Sequence, residues 1–255
     1  MSQSQGELEG QVALVTGGAI GIGQAICQDL SSAGARVIVV DRGDTSATVA
    51  AIREAGGEAI GVAADVTSEA EMAAAVQAGI DAFGGVDILV NNAGIFATLA
   101  QRPFEDIPLD EWRLVFEVNV LGCAVAAKSV LASMRSRGAG TIVNIASTTA
   151  LKGSALPHYS SSKGAVLALT KNLAREFGPN WIRVNAVAPG FTVSTGVEQN
   201  ADETARMRAG ATSSRVLQRE MVPSDVVGAV RFLAGPQSGF MTGQTVVVDG
   251  GAYFH

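Results

Sequence analysis

Two cysteines, Cys27 and Cys123, and two histidines, His158 and His255, are all the soft-ligand chemistry that 255 residues contain. That is too little for a disulfide framework, and no metal-ligand cluster follows from it. Both cysteines fall inside apolar patterns and read as buried, reduced thiols. Positive charge is scarce as well: Lys and Arg number 18 against 24 Asp and Glu, for a formal net charge of −6. No basic cluster stands out, so a nucleic-acid partner is not expected. Nor is there a run of about 18 apolar residues, so no membrane span is expected. The opening "MSQSQGELEG" lacks the basic start and apolar centre of a signal peptide. Together these absences leave a soluble, cytoplasmic protein as the expectation, acting on a small molecule and not on nucleic acid or membrane.

What is present is apolar and regular. Apolar residues make up 47% of the chain, with 30 glycines and few aromatics. Short apolar runs alternate with longer helical patterns. Strands are expected at 12–17, 36–41, 59–65, 86–94, 140–147, 182–190 and 244–251. Helices are expected at 22–34, 47–56, 68–84, 109–137 and 158–178, with Ser68 and Glu71 spaced as a capping box. The apolar runs do not alternate in and out, which marks strands buried on both faces, as in a parallel sheet. The reading is α/β: a single-domain, doubly wound (Rossmann) parallel sheet of about seven strands with helices on both faces. The segment 191–222 is less regular and reads as a mobile substrate lid within that domain.

Two stretches carry chemistry. "TGGAIGIG" (16–23) joins the first strand to the first helix. Gly17, Gly21 and Gly23 there permit a tight turn and a close backbone approach to a pyrophosphate, and the helix start offers N–H groups to it. The second strand ends in Asp41, which can accept hydrogen bonds from the adenosine ribose of NAD and would repel the 2′-phosphate of NADP. Arg42 pulls the other way, and a plain acid opening a loop is the alternative for Asp41. NAD is the expected cofactor, with NADP second. "LPHYSSSKGAV" (156–166) sets Tyr159 and Lys163 one helical turn apart on one face. An ammonium that close favours the phenolate and lowers a phenol pKa of about 10, making Tyr159 a candidate general base. A surface Tyr–Lys contact is the simpler alternative. His158 points about 100° away around the helix and reads as a pocket-wall or surface residue.

With these pieces in order, the sequence closely resembles the short-chain dehydrogenase/reductase family from about residue 10 to 251. The motifs are "TGGAIGIG" at 16–23, "DV" at 65–66, "NNAG" at 91–94, Asn119 in "NVLG", Ser147, "YSSSK" at 159–163 and "PG" at 189–190. The resemblance implies hydride transfer with NAD or NADP and a dimer or tetramer. It implies a catalytic set of Asn119, Ser147, Tyr159 and Lys163, with Tyr159 as acid/base, Ser147 holding the substrate oxygen and Asn119 holding a water that relays protons to Lys163. For the cofactor it implies Gly17, Ile20, Gly21, Ile22 and Gly23 at the diphosphate, and Asp41, Arg42, Asp65 and Val66 at the adenosine. Asn92, Ala93 and Gly94 follow, then Tyr159 and Lys163 at the nicotinamide ribose, and Pro189, Gly190, Thr192 and Ser194 (or Thr195 beside it) at the nicotinamide. Outside this ordered set, a strand-end hydroxyl would be the reading of Ser147 and a helix-distorting amide that of Asn119.

The substrate is expected against Ser147, Phe96, Gly153, Tyr159 and Phe191, with Ile95, Leu151, Met207 and Met221 as further wall candidates. Gln199, Asn200 and Arg206 are polar lid residues. Such walls suit a secondary alcohol or ketone, with a sugar or polyol open. The alternatives are a 3-oxoacyl thioester reductase and a dinucleotide-binding sensor without turnover. The apolar helices at 109–137 and 158–178, with the terminal "GGAYFH", are expected to form a homo-oligomer interface, as a tetramer or dimer.

Overall fold

The computed structural model describes residues 6–254, except the side chains of residues 201–203 and 206. His255 lies outside the described residues, as do the first five of the N-terminal segment. Seven parallel strands form one sheet in the order β3-β2-β1-β4-β5-β6-β7. They are β1 (Val12–Thr16), β2 (Arg36–Asp41), β3 (Ala59–Ala63), β4 (Ile88–Asn91), β5 (Gly140–Ile145), β6 (Ile182–Pro189) and β7 (Thr245–Val248). The order reverses between β1 and β4, where doubly wound sheets open a crevice at the carboxyl ends of their strands.

The strands are buried on both faces, as their unalternating sequence requires. In β1 and β2, Ala13, Val15, Val37 and Val39 face a layer formed by α1 (Gly21–Ser32) and α10 (Ser224–Ala234). Val12, Leu14, Ile38 and Val40 face the opposite layer, formed by α3 (Glu69–Phe83), α5 (Gly122–Ser136) and α7 (Pro157–Phe177). A fully buried Val, Leu or Ile side chain contributes roughly 1.5–3 kcal/mol, so a run without polar interruptions suits a strand covered twice. Cys27 packs in the first layer and Cys123 against the other side of the sheet; both are buried, free thiols. Burial pushes both thiols up, away from the thiolate.

Four local features differ from the sequence reading. The fourth strand stops at Asn91, so Asn92 to Gly94 form a loop over the glycine turn. The capping box at Ser68 is half built. The Ser68 hydroxyl accepts from the Glu71 amide at 3.3 Å, but the Glu71 carboxylate accepts from the Asp65 amide instead of closing back on Ser68. The helix expected over 109–137 is α4 (Leu109–Phe116) and α5, joined by a π-turn at Glu117–Leu121 that contains Asn119. By length and composition this 28-residue run could cross a membrane, yet α5 packs on the sheet and on α3. The segment expected to be irregular carries two helices, α8 (Thr195–Glu198) and α9 (Ala201–Ser213).

Candidate active site

One cavity of about 700 Å³ runs along the carboxyl ends of the strands. Every residue assigned above to cofactor or substrate lines it, and so do Ser147, Tyr159 and Lys163 of the catalytic set; Asn119 stands behind the wall. Of the further wall candidates, Ile95 and Met207 line it, whereas Leu151 and Met221 do not. Met221 bridges to Thr192 and packs in the core. Ser194 faces the cavity and Thr195 does not. Gln199 and Asn200 lie outside it, and the Arg206 side chain is outside the described residues.

The glycine turn is closed from two sides. Gly17 and Gly21 have φ of 66° and 62°, in the left-handed region that other residues avoid. At Gly23 the constraint is contact: a Cβ there would lie 1.9 Å from the Gly17 carbonyl oxygen. The Asn92 amide donates to the carbonyls of Thr16 and Gly17 at 3.0 and 2.9 Å, holding the turn to the loop after β4. No side chain caps the start of α1 at Ile20, so the helix presents bare backbone to the cavity. This cradle of missing Cβ atoms fits a diphosphate. At its far edge the Asp41 carboxylate accepts from the Ala19 amide at 3.0 Å and the Gly43 amide at 2.8 Å. Arg42, largely exposed, reaches Asp65 at 3.3 Å. The Asp65 carboxyl is held below its usual range, first by the Thr67 amide and then by the Thr67 hydroxyl and Arg42.

The reacting end is built by β5, β4 and α7. Tyr159 and Lys163 are both buried on one face of α7. The Lys163 ammonium sits 5.8 Å from the centre of the Tyr159 ring and donates to the Ile145 carbonyl at 2.8 Å. Burial dominates this pair. It pushes the Tyr159 phenol up to about 12, against a hydrogen bond from Ser147, and pulls Lys163 down. Desolvation thus favours the neutral form of each partner, opposite in direction to the lowering expected from the Lys163 ammonium.

Ser147 has a partner that the sequence did not reveal. Its Oγ accepts both from the Thr149 amide, at 3.2 Å, and from the Thr149 hydroxyl, at 3.0 Å. A hydroxyl has two acceptor sites and one proton. With both acceptor sites filled, the Ser147 proton is left to point at Tyr159 and the space beside it. Asn119 fixes the opposite wall. Its Oδ1 accepts from the Ile95 amide at 2.7 Å, and its Nδ2 donates to the Ile95 carbonyl and to Ser162. Its side chain is thus engaged with protein on both atoms. His158 is neither on the surface nor at the pocket wall, as its position in the sequence had suggested. It is fully buried, with Nε2 3.0 Å from Glu111, which also pairs with Arg102 at 2.9 Å. The start of α7 is thereby tied to α4.

Beyond Tyr159 the cavity is aromatic. Phe96 lies 4.9 Å from the Tyr159 ring and 6.1 Å from that of Phe191. Lys152, Ser154, Leu156, Ser214 and Arg215 also line it and were not foreseen. Leu156 opens the Tyr159–Lys163 stretch and Ser214 and Arg215 lie in the segment 191–222, but no pattern in the sequence marks these residues themselves.

Residues 17–253 match a family model described as Enoyl-(Acyl carrier protein) reductase. The chain is 40% identical over 246 residues to the short-chain reductase protein NovJ of Streptomyces niveus, covering 94% of this chain and 93% of that one. It is 41% identical over 249 residues to the 4-formylbenzenesulfonate dehydrogenase TsaC1/TsaC2 of Comamonas testosteroni, covering 96% and 98%. Against the 3-oxoacyl-[acyl-carrier-protein] reductase FabG of Vibrio cholerae the identity is 37% over 253 residues, covering 96% and 98%. Among solved structures, a short-chain type dehydrogenase/reductase from Mycobacterium marinum superimposes with a TM-score of 0.88 at 32% identity, covering 97% of each chain.

Proposed function

Because the chain belongs to the short-chain dehydrogenase/reductase family, and is therefore an oxidoreductase of a nicotinamide dinucleotide, we propose that it interconverts a secondary alcohol and a ketone with NAD. The observation that carries this reading is the convergence of Ser147, Tyr159 and Lys163 beside the glycine cradle in one cavity. The bound dinucleotide would accept or supply the hydride. The chain supplies position and protons. Tyr159 exchanges a proton with the substrate oxygen, and Ser147 donates a hydrogen bond to that oxygen. Lys163 steadies the charge on Tyr159. Asn119 acts first as a positioning residue, holding the Ile95 loop against α7; a relayed water toward Lys163 is its second assigned role. The helices α8 and α9 form the lid, with Met207 on its inner side. Oxidation of a panel of secondary alcohols and polyols, followed at the nicotinamide absorbance, tests the reading; no turnover with either dinucleotide would defeat it. The thioester reading is kept by the likeness to the Vibrio cholerae reductase, and a 3-oxoacyl thioester belongs in the same panel.

Thr149 is assigned as the residue that aims the Ser147 proton. Thr149→Val is expected to lower kcat about fivefold, the equivalent of roughly 1 kcal/mol for one hydrogen bond, with KM for the dinucleotide unmoved. Thr149→Ser should restore the rate. A Val variant with full kcat removes the assignment.

The protein is proposed to work in the cytoplasm as a homo-oligomer. Leu109, Leu114 and Leu121 are each at least half exposed along α4 and the π-turn, and Phe254 near the C-terminus is 77% exposed. Burying such residues between copies removes apolar surface from water. Sedimentation should give a dimer or tetramer; a monomer at micromolar concentration overturns the proposal.

A further inference from the structure

The charges around the cavity are not spread evenly. Its acidic residues, Asp41 and Asp65, stand at the adenosine edge beside Arg42. Along the rest of the wall, the charged lining residues are Lys152, Lys163 and Arg215, and no carboxylate accompanies them among the described side chains. Two of these cations are already committed. Lys163 donates to the Ile145 carbonyl, and Arg215 donates to the main-chain carbonyls of Phe191 and Arg219. The Lys152 ammonium makes no hydrogen bond or ion pair with a described residue, yet Lys152 borders the same cavity as Ser147 and Tyr159.

Its place in the chain explains its aim. Lys152 ends the single-turn helix Thr149–Lys152, which begins two residues after Ser147. Gly153 follows at φ 74° and turns the chain back toward α7. Lys152 therefore sits on the short connection between the two residues assigned to the substrate oxygen. The Phe96, Tyr159 and Phe191 rings provide an apolar surface in the same cavity.

Resting on the alcohol/ketone reading above, we propose that the substrate carries an anionic group, a carboxylate or sulfonate, on an apolar body, and that the Lys152 ammonium receives that group. The rings take the body, Ser147 and Tyr159 take the reacting oxygen, and Lys152 takes the charge at the other end. A cationic wall without a carboxylate also repels amine-bearing substrates, so the same residue selects against the opposite charge.

Matched ketones test this. 4-Acetylbenzoate and 4-acetylbenzenesulfonate are compared with methyl 4-acetylbenzoate, using NADH and NADPH. In the wild type, kcat/KM for one or both anions should exceed that for the ester by about tenfold or more, and Lys152→Met should bring that ratio to near one. Lys152→Arg should keep it. The two anions separate carboxylate from sulfonate recognition. Equal ratios in the wild type and Lys152→Met overturn the proposal while leaving the dehydrogenase reading in place. Binding is read independently of turnover, as the rise in melting temperature given by each anion in the presence of the reduced dinucleotide. A rise seen in the wild type and lost in Lys152→Met supports the proposal even if no ketone is reduced, an outcome that would count against the dehydrogenase reading alone. The absence of any rise with either anion in the wild type, or the same rise in both proteins, overturns it.

Discussion

Tyr159→Phe is expected to lower kcat for alcohol oxidation by about a thousandfold, within the range general acid–base catalysis contributes, while NADH still raises the melting temperature of the variant. A variant retaining a tenth of the rate would remove Tyr159 as the acid/base. The size of the effect follows from the roles: Tyr159 is the group assigned to exchange the proton, whereas Ser147 is assigned to hold the substrate oxygen and Lys163, bonded to the Ile145 carbonyl, to steady the charge on Tyr159.

The pH dependence has a definite sign. Burial raises the Tyr159 phenol to about 12, so the free protein holds it protonated through neutral pH. That rise of two units corresponds to about 3 kcal/mol against the phenolate. Lys163, whose own charged form burial also disfavours, does not by itself make an acidic phenol. A difference spectrum of ligand-free wild type against Tyr159→Phe should therefore show no tyrosinate below about pH 10. Reduction, which needs the proton in place, should hold its rate at neutral pH, whereas oxidation should gain with rising pH. A free-protein ionisation near pH 7 would contradict the dominance of burial.

How much of this could be read beforehand differs from element to element. The sheet was legible because strands covered on both faces must be apolar throughout, and the β2 boundaries at Arg36 and Asp41 agree with those expected from sequence. Tyr159 and Lys163 were legible because helical periodicity alone puts them on one face. The pKa direction was not, because the sequence gives the neighbour but not the solvent it displaces. The segment 191–222 was read as less regular, and it carries two helices. Its helices carry Gly, Thr and Ser in place of a clear apolar stripe, and their caps lack side-chain bonds. Asn119 agrees with its helix-distorting reading: it sits in the π-turn that interrupts the helix, with its amide bonded to Ile95 and Ser162. Thr149 and Lys152 carried no signal, since nothing in "STTALKG" distinguishes a positioning hydroxyl or a free ammonium from an ordinary loop. Only the fold shows that the short helix after Ser147 runs along the cavity and ends there in Lys152.

Asp41→Asn is expected to move the ratio of kcat/KM for NAD over NADP by about a hundredfold toward NADP. The wild-type carboxylate is fixed by the Ala19 and Gly43 amides at the cavity edge, so it cannot swing away from an added phosphate. Two unit charges about 4 Å apart repel by about 1 kcal/mol in bulk water and about 4 kcal/mol at an effective dielectric of 20, and each 1.4 kcal/mol is tenfold. Removing the charge lifts that repulsion and also weakens an acceptor for the ribose hydroxyls of NAD, so both cofactors move in the same direction on the ratio. Arg42 adds to the change. Its exposed pair with Asp65 is worth at most about 1 kcal/mol, so its guanidinium can leave Asp65 for the 2′-phosphate. Asn keeps one acceptor for the two backbone amides, and the melting temperature of the variant reads the cost of losing the other. Were the wild type to prefer NADP by tenfold or more, Asp41 would have no part in excluding it, and the choice of NAD would fall with it.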